Sequence, residues 1–183
     1  MEKLFELFPE PRRTRAKAMM DGPIGMAYVT APASTRLEFH SCYPGGLLAH
    51  SLNVVANLRK LVGSLCSGKY DDPTLAFVGL FHDLGKAGTG TKDLYVPEPS
   101  DWHREKLGQL YQVNPDLQYM STGERSLFNL QRYNIELSND EYLAIKLNDG
   151  QYVDENRSYR MREPELALLV HWADMWSVRQ EKA

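Results

Sequence analysis

Four side chains in this sequence have types and spacings that could do chemistry: His50, His82, Asp83 and Asp174. Each falls in a run that otherwise reads as a buried helix face. His50 sits between Leu47 and Val54, and His82 continues the stripe of Leu75 and Val78. Asp83 shares the neighbouring stripe with Gly79, and Asp174 comes four residues after Val170. An ionised carboxylate loses several kcal/mol of solvation in apolar surroundings, so both Asp83 and Asp174 call for a cationic partner. The candidates are a buried Arg or Lys, a protonated His, or a metal ion. Only the ion also accounts for two imidazoles turned into the same packing. Two His and two Asp suit a divalent ion such as Mn, Co, Fe, Ni, Zn or Mg. With open coordination positions, such an ion can bind a phosphate oxygen, lower the pKa of a bound water and orient it in line with a leaving oxygen.

Helices must position these residues. The apolar spacing predicts one over about Gly46 to Leu65, carrying His50, and a second from about Pro73 to Lys86 with Asp72 as N-cap, carrying His82 and Asp83. Others are predicted from Glu124 to Tyr133 and from Asn139 to Leu147, the latter opened by a Ser138/Glu141 capping box. A closing helix from about Glu165 to Arg179 carries Asp174. Between Lys86 and Tyr111 lies a long irregular connection, with either a short helix capped near Ser100 or a turn into a strand. The Gly- and Pro-rich stretch from Asp21 to Tyr43 reads as a structured loop with a short extended piece at "MAYVT". Residues 1–20 join an amphipathic "LFELF" to a basic "PRRTRAK", which reads as a peripheral helix or solvated arm.

The bulk numbers fit one soluble domain spanning residues 1–183, 43% hydrophobic and 25% charged, long enough to bury a core without staples. A net charge of -3 weighs against a protein that coats nucleic acid through bulk electrostatics. Cys42 and Cys66 are not spaced as a metal pair and read as free thiols of a reducing compartment. No apolar run approaches the ~20 residues that span a bilayer, and the start lacks a signal-peptide core. The expectation is a cytoplasmic protein that does not engage membranes.

On the motifs "GGLLAHSLNVV", "LFHDLGK" and "LLVHWADMW", the sequence resembles the HD-domain metal-dependent phosphohydrolases. That family places a His on one helix, a His-Asp doublet on a second and an Asp on a late helix. The lead-in "APASTRLEFHSCYPGGLLAHS" is similar to the branch that includes the HD part of a 3′ to 5′ exoribonuclease. The resemblance covers about Ala31 to Trp176 and implies an all-α, single HD-domain helical bundle with long irregular connections. It also implies His50, His82, Asp83 and Asp174 as metal ligands, with Asp83 able to orient or deprotonate the attacking water. Relatives carry two further His for a second ion where this chain reads "MSTGERS" and "AIKLNDG". Thr122 and Asn148 are poor ligands there, so one tightly held ion is expected, with Asp149 offering at most a weak second site.

Other residues could meet substrate. Lys86 can reach a phosphate oxygen or simply face the helix dipole. Arg125, Lys92, His103, Arg160 and Arg162 are candidate phosphate contacts, and Thr122 and Asn148 can hydrogen-bond substrate. His40 could line the pocket as a proton donor, and His171 could support a ligand from behind. Trp102, Tyr111 and Tyr119 could stack on a base. The leading function is hydrolysis of a nucleotide substrate, a deoxynucleoside mono- or triphosphate. The runner-up is a 3′ to 5′ exonuclease or phosphodiesterase using the basic arm, although nucleic acid is the less favoured partner in a chain this short. A metal-stabilised nucleotide-binding module without catalysis is the third class. Homo-oligomers are common in the family, and no feature of the sequence decides the assembly.

Overall fold

The computed structural model describes residues 1–182. Helices dominate, in the order α1 (Glu2–Phe5), α2 (Arg12–Met20), α3 (Pro23–Thr30), α4 (Gly46–Leu65), α5 (Asp72–Phe81), α6 (Asp101–Leu107), α7 (Thr122–Arg132), α8 (Asn139–Lys146) and α9 (Glu165–Glu181). A two-stranded antiparallel ribbon, β1 (Tyr95–Pro97) and β2 (Tyr111–Val113), is the one sheet among the described residues, with Tyr95 opposite Val113. The protein is an all-α bundle, as the periodicity predicts.

α4 is the spine. It packs against α5 on one side and α9 on the other, burying Leu47, Val54, Val55, Leu58 and Val62. α9 answers with Leu166, Leu169, Val170 and Ala173, all buried. Gly79 lets α4 and α5 approach closely. A Cβ at that position would lie 2.7 Å from Val55 Cγ2 and 3.0 Å from Val55 Cα. The contact lies about one helical turn from His50 on α4 and from His82 just past α5, whose ring centroids are 5.4 Å apart, so the helix spacing it fixes also bears on how near the two imidazoles come.

α5 is capped by Asp71, whose side chain accepts the Thr74 N–H at 3.0 Å. Asp72, predicted as the cap, instead pairs with Arg59 at 2.6 and 2.8 Å. The helix also stops at Phe81 rather than running on to Lys86. The chain turns at His82 and Asp83 into a 3-10 turn, Leu84–Ala87, because Gly85 is pressed onto the start of α7. A Cβ on Gly85 would lie 2.2 Å from the Thr122 carbonyl oxygen, and its N–H donates to Ser126 Oγ at 2.7 Å. α7 begins at Thr122, two residues before its predicted start, with Ser121 and Glu124 forming a capping box. α8 carries the predicted Ser138/Glu141 box. The long connection resolves into both alternatives: Ser100 caps α6, which then leads into β2.

Two expectations fail. Residues 1–20 are not a solvated arm. Phe5 and Phe8 are buried against Phe77 and Phe81, with ring centroids 5.5 Å apart for Phe8 and Phe77. The apolar face of "LFELF" is wide enough to close one end of the core. "MAYVT" is helical rather than extended: Pro23 starts α3, and the buried Tyr28 hydroxyl donates to the Leu80 carbonyl at 2.6 Å. Tertiary packing here outweighs the β preference of Val29 and Thr30. Cys42 is buried and Cys66 half-buried, both as free thiols.

Candidate metal centre and substrate cavity

α4, the turn after α5 and α9 bring His50, His82, Asp83 and Asp174 together. Ligand atoms of His50, His82 and Asp83 lie within 4.8 Å of one another. His50 Nε2 is 2.9 Å from Asp174 Oδ1 and 3.6 Å from Asp83 Oδ2. His82 Nε2 is 3.5 Å from Asp83 Oδ2 and 4.0 Å from Asp174 Oδ1. His50, His82 and Asp83 are buried.

The donor set fits a divalent ion. Nε2 of His50 and Nε2 of His82 are both buried without an aligned hydrogen-bond partner, so even the close His50–Asp174 approach is not a well-directed hydrogen bond. A buried nitrogen left so is costly unless something occupies its lone pair. The opposite ring nitrogens are engaged: His82 Nδ1 lies 2.9 Å from the Gly79 carbonyl and His50 Nδ1 lies 3.0 Å from Glu181 Oε2. Both rings therefore turn Nε2 inward, the arrangement that metal-binding imidazoles adopt.

Charge in the cluster is tightly linked. Burial opposes ionisation of Asp83, but Lys86 Nζ at 2.6 Å and the imidazoles of His82 and His50 hold its carboxyl well below the usual range. Burial also opposes protonation of His50, and Asp174, Glu181 and Asp83 together raise it to about 9. Burial, Lys86 and His50 push His40 down to about 4, leaving a neutral ring 4.6 Å from that of His50.

A cavity of about 470 Å³ is lined by Thr122, Arg125, Lys146, Asp149, Tyr95 and Tyr119, with apolar walls from Leu94, Val113, Leu117 and Met120. It adjoins the cluster through Asp149, the residue after Asn148, whose amide donates to Asp83 Oδ1 at 3.2 Å; burial and the Asp83 carboxylate raise both Asp149 and Tyr95. Its size lies within the range of ~300–1,000 Å³ typical of small-molecule sites. Arg125 is 2% exposed, has no carboxylate partner among the described residues, and leaves Nε without a hydrogen bond. Among the described residues its guanidinium makes one hydrogen bond, from Nη2 to the Gln118 carbonyl at 2.8 Å.

The remaining candidates separate. Asn148 is buried beside the cluster, its amide donating to Asp83 Oδ1 at 3.2 Å, and so holds a carboxylate where the sequence suggested a substrate contact. His171 Nδ1 is 2.7 Å from the Asn148 carbonyl and supports that loop. His103 is not at the cavity; it pairs with the buried Glu98 at 3.1 Å. Trp102 is exposed beside it on α6, Lys92 bonds to the Asp116 carbonyl, and Arg160 lines a separate hollow with Arg157. Arg162 and Tyr111 are likewise absent from the cavity lining. These side chains sit on segments whose course the sequence left open. Lys146, Tyr95 and Glu181 were missed. Lys146 and Glu181 resemble ordinary surface charges near helix ends, and Tyr95 belongs to a strand too short to show a period.

The HD domain family model matches residues 47–177, most of the chain. The chain belongs to the HD-domain family. Comparison with curated proteins and with solved structures returned no significant match in either case. HD domains are in general metal-dependent phosphohydrolases that bind divalent ions, and the His/Asp cluster of this HD domain lies inside the matched span. Resemblance to one exoribonuclease branch has no support beyond the motifs themselves. No helix among the described residues is long and apolar enough to cross a membrane.

Proposed function

We propose that this HD domain hydrolyses a phosphate ester of a nucleotide, a deoxynucleoside mono- or triphosphate being the favoured class. The observation that carries this reading is the buried, carboxylate-free Arg125 in the wall of a cavity that adjoins the His/Asp cluster. A buried guanidinium without an acid is a standing demand for an anion, and its planar fork suits phosphate. Lys146 adds a second cation, while Tyr95, Tyr119 and the apolar walls offer a surface for a base.

His50, His82, Asp83 and Asp174 would hold one divalent ion, which when bound supplies Lewis-acid polarisation of the phosphoryl oxygen and an activated water. Asp83 is placed to accept the water proton, and Asn148 steadies it through Oδ1. Lys86, 2.6 Å from Asp83 Oδ2, can turn its ammonium to a developing charge on phosphate oxygen. His40, neutral, beside His50 and with Nε2 unpartnered among the described residues, can hydrogen-bond a substrate that reaches the cluster. Thr122 and Asn148 in place of imidazoles favour a single tight ion, with Asp149 offering at most a weak second site.

The basic arm gives little support to a polymer substrate. Arg12 pairs with Glu141, Arg13 with Glu6, Arg15 with Glu136 and Lys17 with Glu6, so its cations are matched within the fold. The test is purified protein with Mn²⁺, Co²⁺ or Mg²⁺, assayed separately on nucleoside mono- and triphosphates, cyclic nucleotides and a labelled single strand. Release of phosphate or triphosphate from nucleotides supports the reading. Shortening of the strand alone overturns it in favour of an exonuclease, and silence throughout favours a binding module.

A further inference from the structure

We infer that Glu181 is a positioning residue of the metal centre, fixing His50 with its proton on Nδ1 so that the Nε2 lone pair faces the ion. This rests on the four-ligand reading of the cluster. Glu181 lies beyond the span matched by the HD model, at the last residue of α9. It is seven residues after Asp174, about two helical turns, so one helix supplies both a ligand and the carboxylate behind another ligand.

The contacts are mutually consistent. His50 Nδ1 lies 3.0 Å from Glu181 Oε2 and 3.3 Å from Oε1. Ser41 Oγ donates to Oε2 at 2.8 Å, and Asn53 Nδ2 donates to Oε1 at 2.9 Å. A carboxylate met by a hydroxyl and an amide is an acceptor throughout, so the proton shared with His50 belongs on the imidazole. Ser41 holds its hydroxyl in place from a left-handed backbone position, φ 45°. His82 has only the Gly79 carbonyl behind it, a weaker acceptor than a carboxylate. His40, His50 and Glu181 also lie within 4.8 Å of one another and could be taken for a second ion cradle. The two donors already seated on Glu181 argue for a hydrogen-bonded support instead.

The test is zinc binding by the full chain, measured by competition with a chelating dye, together with the imidazole ¹⁵N–¹H spectrum of the zinc-loaded protein. Glu181→Ala is expected to weaken zinc about 10–100-fold and to abolish the slowly exchanging His50 Nδ1–H signal. Glu181→Gln keeps one acceptor oxygen and should recover part of both. Ser177→Ala disturbs the same end of α9 through Asn57, without touching Glu181, and should bind zinc normally. Wild-type affinity in Glu181→Ala, an equal loss in Ser177→Ala, or a second zinc ion that disappears with Glu181 each overturns the inference. If Glu181→Ala does not fold, Glu181→Gln with an unchanged His50 signal and affinity overturns it as well. Asp174→Ala must lose zinc; if it does not, the four-ligand reading fails before any question about Glu181 arises.

Discussion

Gly79→Ala tests whether the α4–α5 contact sets the geometry of the centre. On helix propensity alone, Ala in the interior of α5 should stabilise the protein by about 0.8–1 kcal/mol. The structure reverses that expectation. The new methyl would meet Val55 Cγ2 at 2.7 Å, Val55 Cα at 3.0 Å and Val55 N at 3.2 Å. Val55 is β-branched and has one strongly preferred rotamer in a helix, and two of the three atoms are backbone, so the helices must part. Overpacking of this kind costs about 1–3 kcal/mol, which leaves a net loss of up to about 2 kcal/mol after the propensity gain. For a chain of this size that is a fall of roughly 4–8 °C in Tm, read on metal-free protein by circular dichroism. The same parting moves His50 away from His82 by a few tenths of an ångström, beyond the ~0.2 Å that coordination distances tolerate, so zinc affinity should fall as well. Val55→Ala in the same chain removes the closest clash, and the double variant should be more stable than the sum of the two single effects. A higher Tm for Gly79→Ala, with unchanged metal binding, would refute the close-approach argument.

Asp83→Ala leaves the half-buried Lys86 without its carboxylate and should destabilise metal-free protein by about 1–3 kcal/mol in urea unfolding, and Asp83→Ala/Lys86→Met should recover much of that loss. Arg125→Met should leave Tm unchanged or raised while KM for a phosphorylated substrate rises, because it removes a buried cation that has no carboxylate partner. Phe8→Ala should cost about 3–5 kcal/mol in chemical unfolding, since Phe8 is fully buried; a silent variant would restore the surface-arm reading. Chelation should lower Tm by the linkage amount, about 2.7 kcal/mol when the ion is at 100 times its Kd, without loss of the helical circular dichroism signal.

The His/Asp cluster is legible because burial and charge conflict in it. A His-Asp doublet among Leu, Val and Phe is improbable as packing, and Asp174 repeats the conflict on α9. The helices that carry ligands were legible for the same reason that they pack: long apolar stripes. What escaped was set by tertiary contact. α3 is helical because Tyr28 reaches Leu80, a partner 52 residues away that no local pattern announces. The early end of α5 follows from Gly85 meeting Thr122, again a distant contact. Glu181 had a usable signal, an acidic residue two turns beyond Asp174, but the helix was drawn to stop at Arg179. His103 and Lys92 lie away from the cavity, on a loop whose composition tells its chemistry and not its path.

The ion pair between Lys86 and Asp83 bears on the order in which the protein matures. Small zinc domains that depend on their ion are unfolded without it. Here the chain carries its own counter-charge, Lys86 Nζ 2.6 Å from Asp83 Oδ2, so burying that carboxylate does not by itself demand a metal. An ion held by His50, His82, Asp83 and Asp174 would compete with or share the ammonium's hold on Asp83.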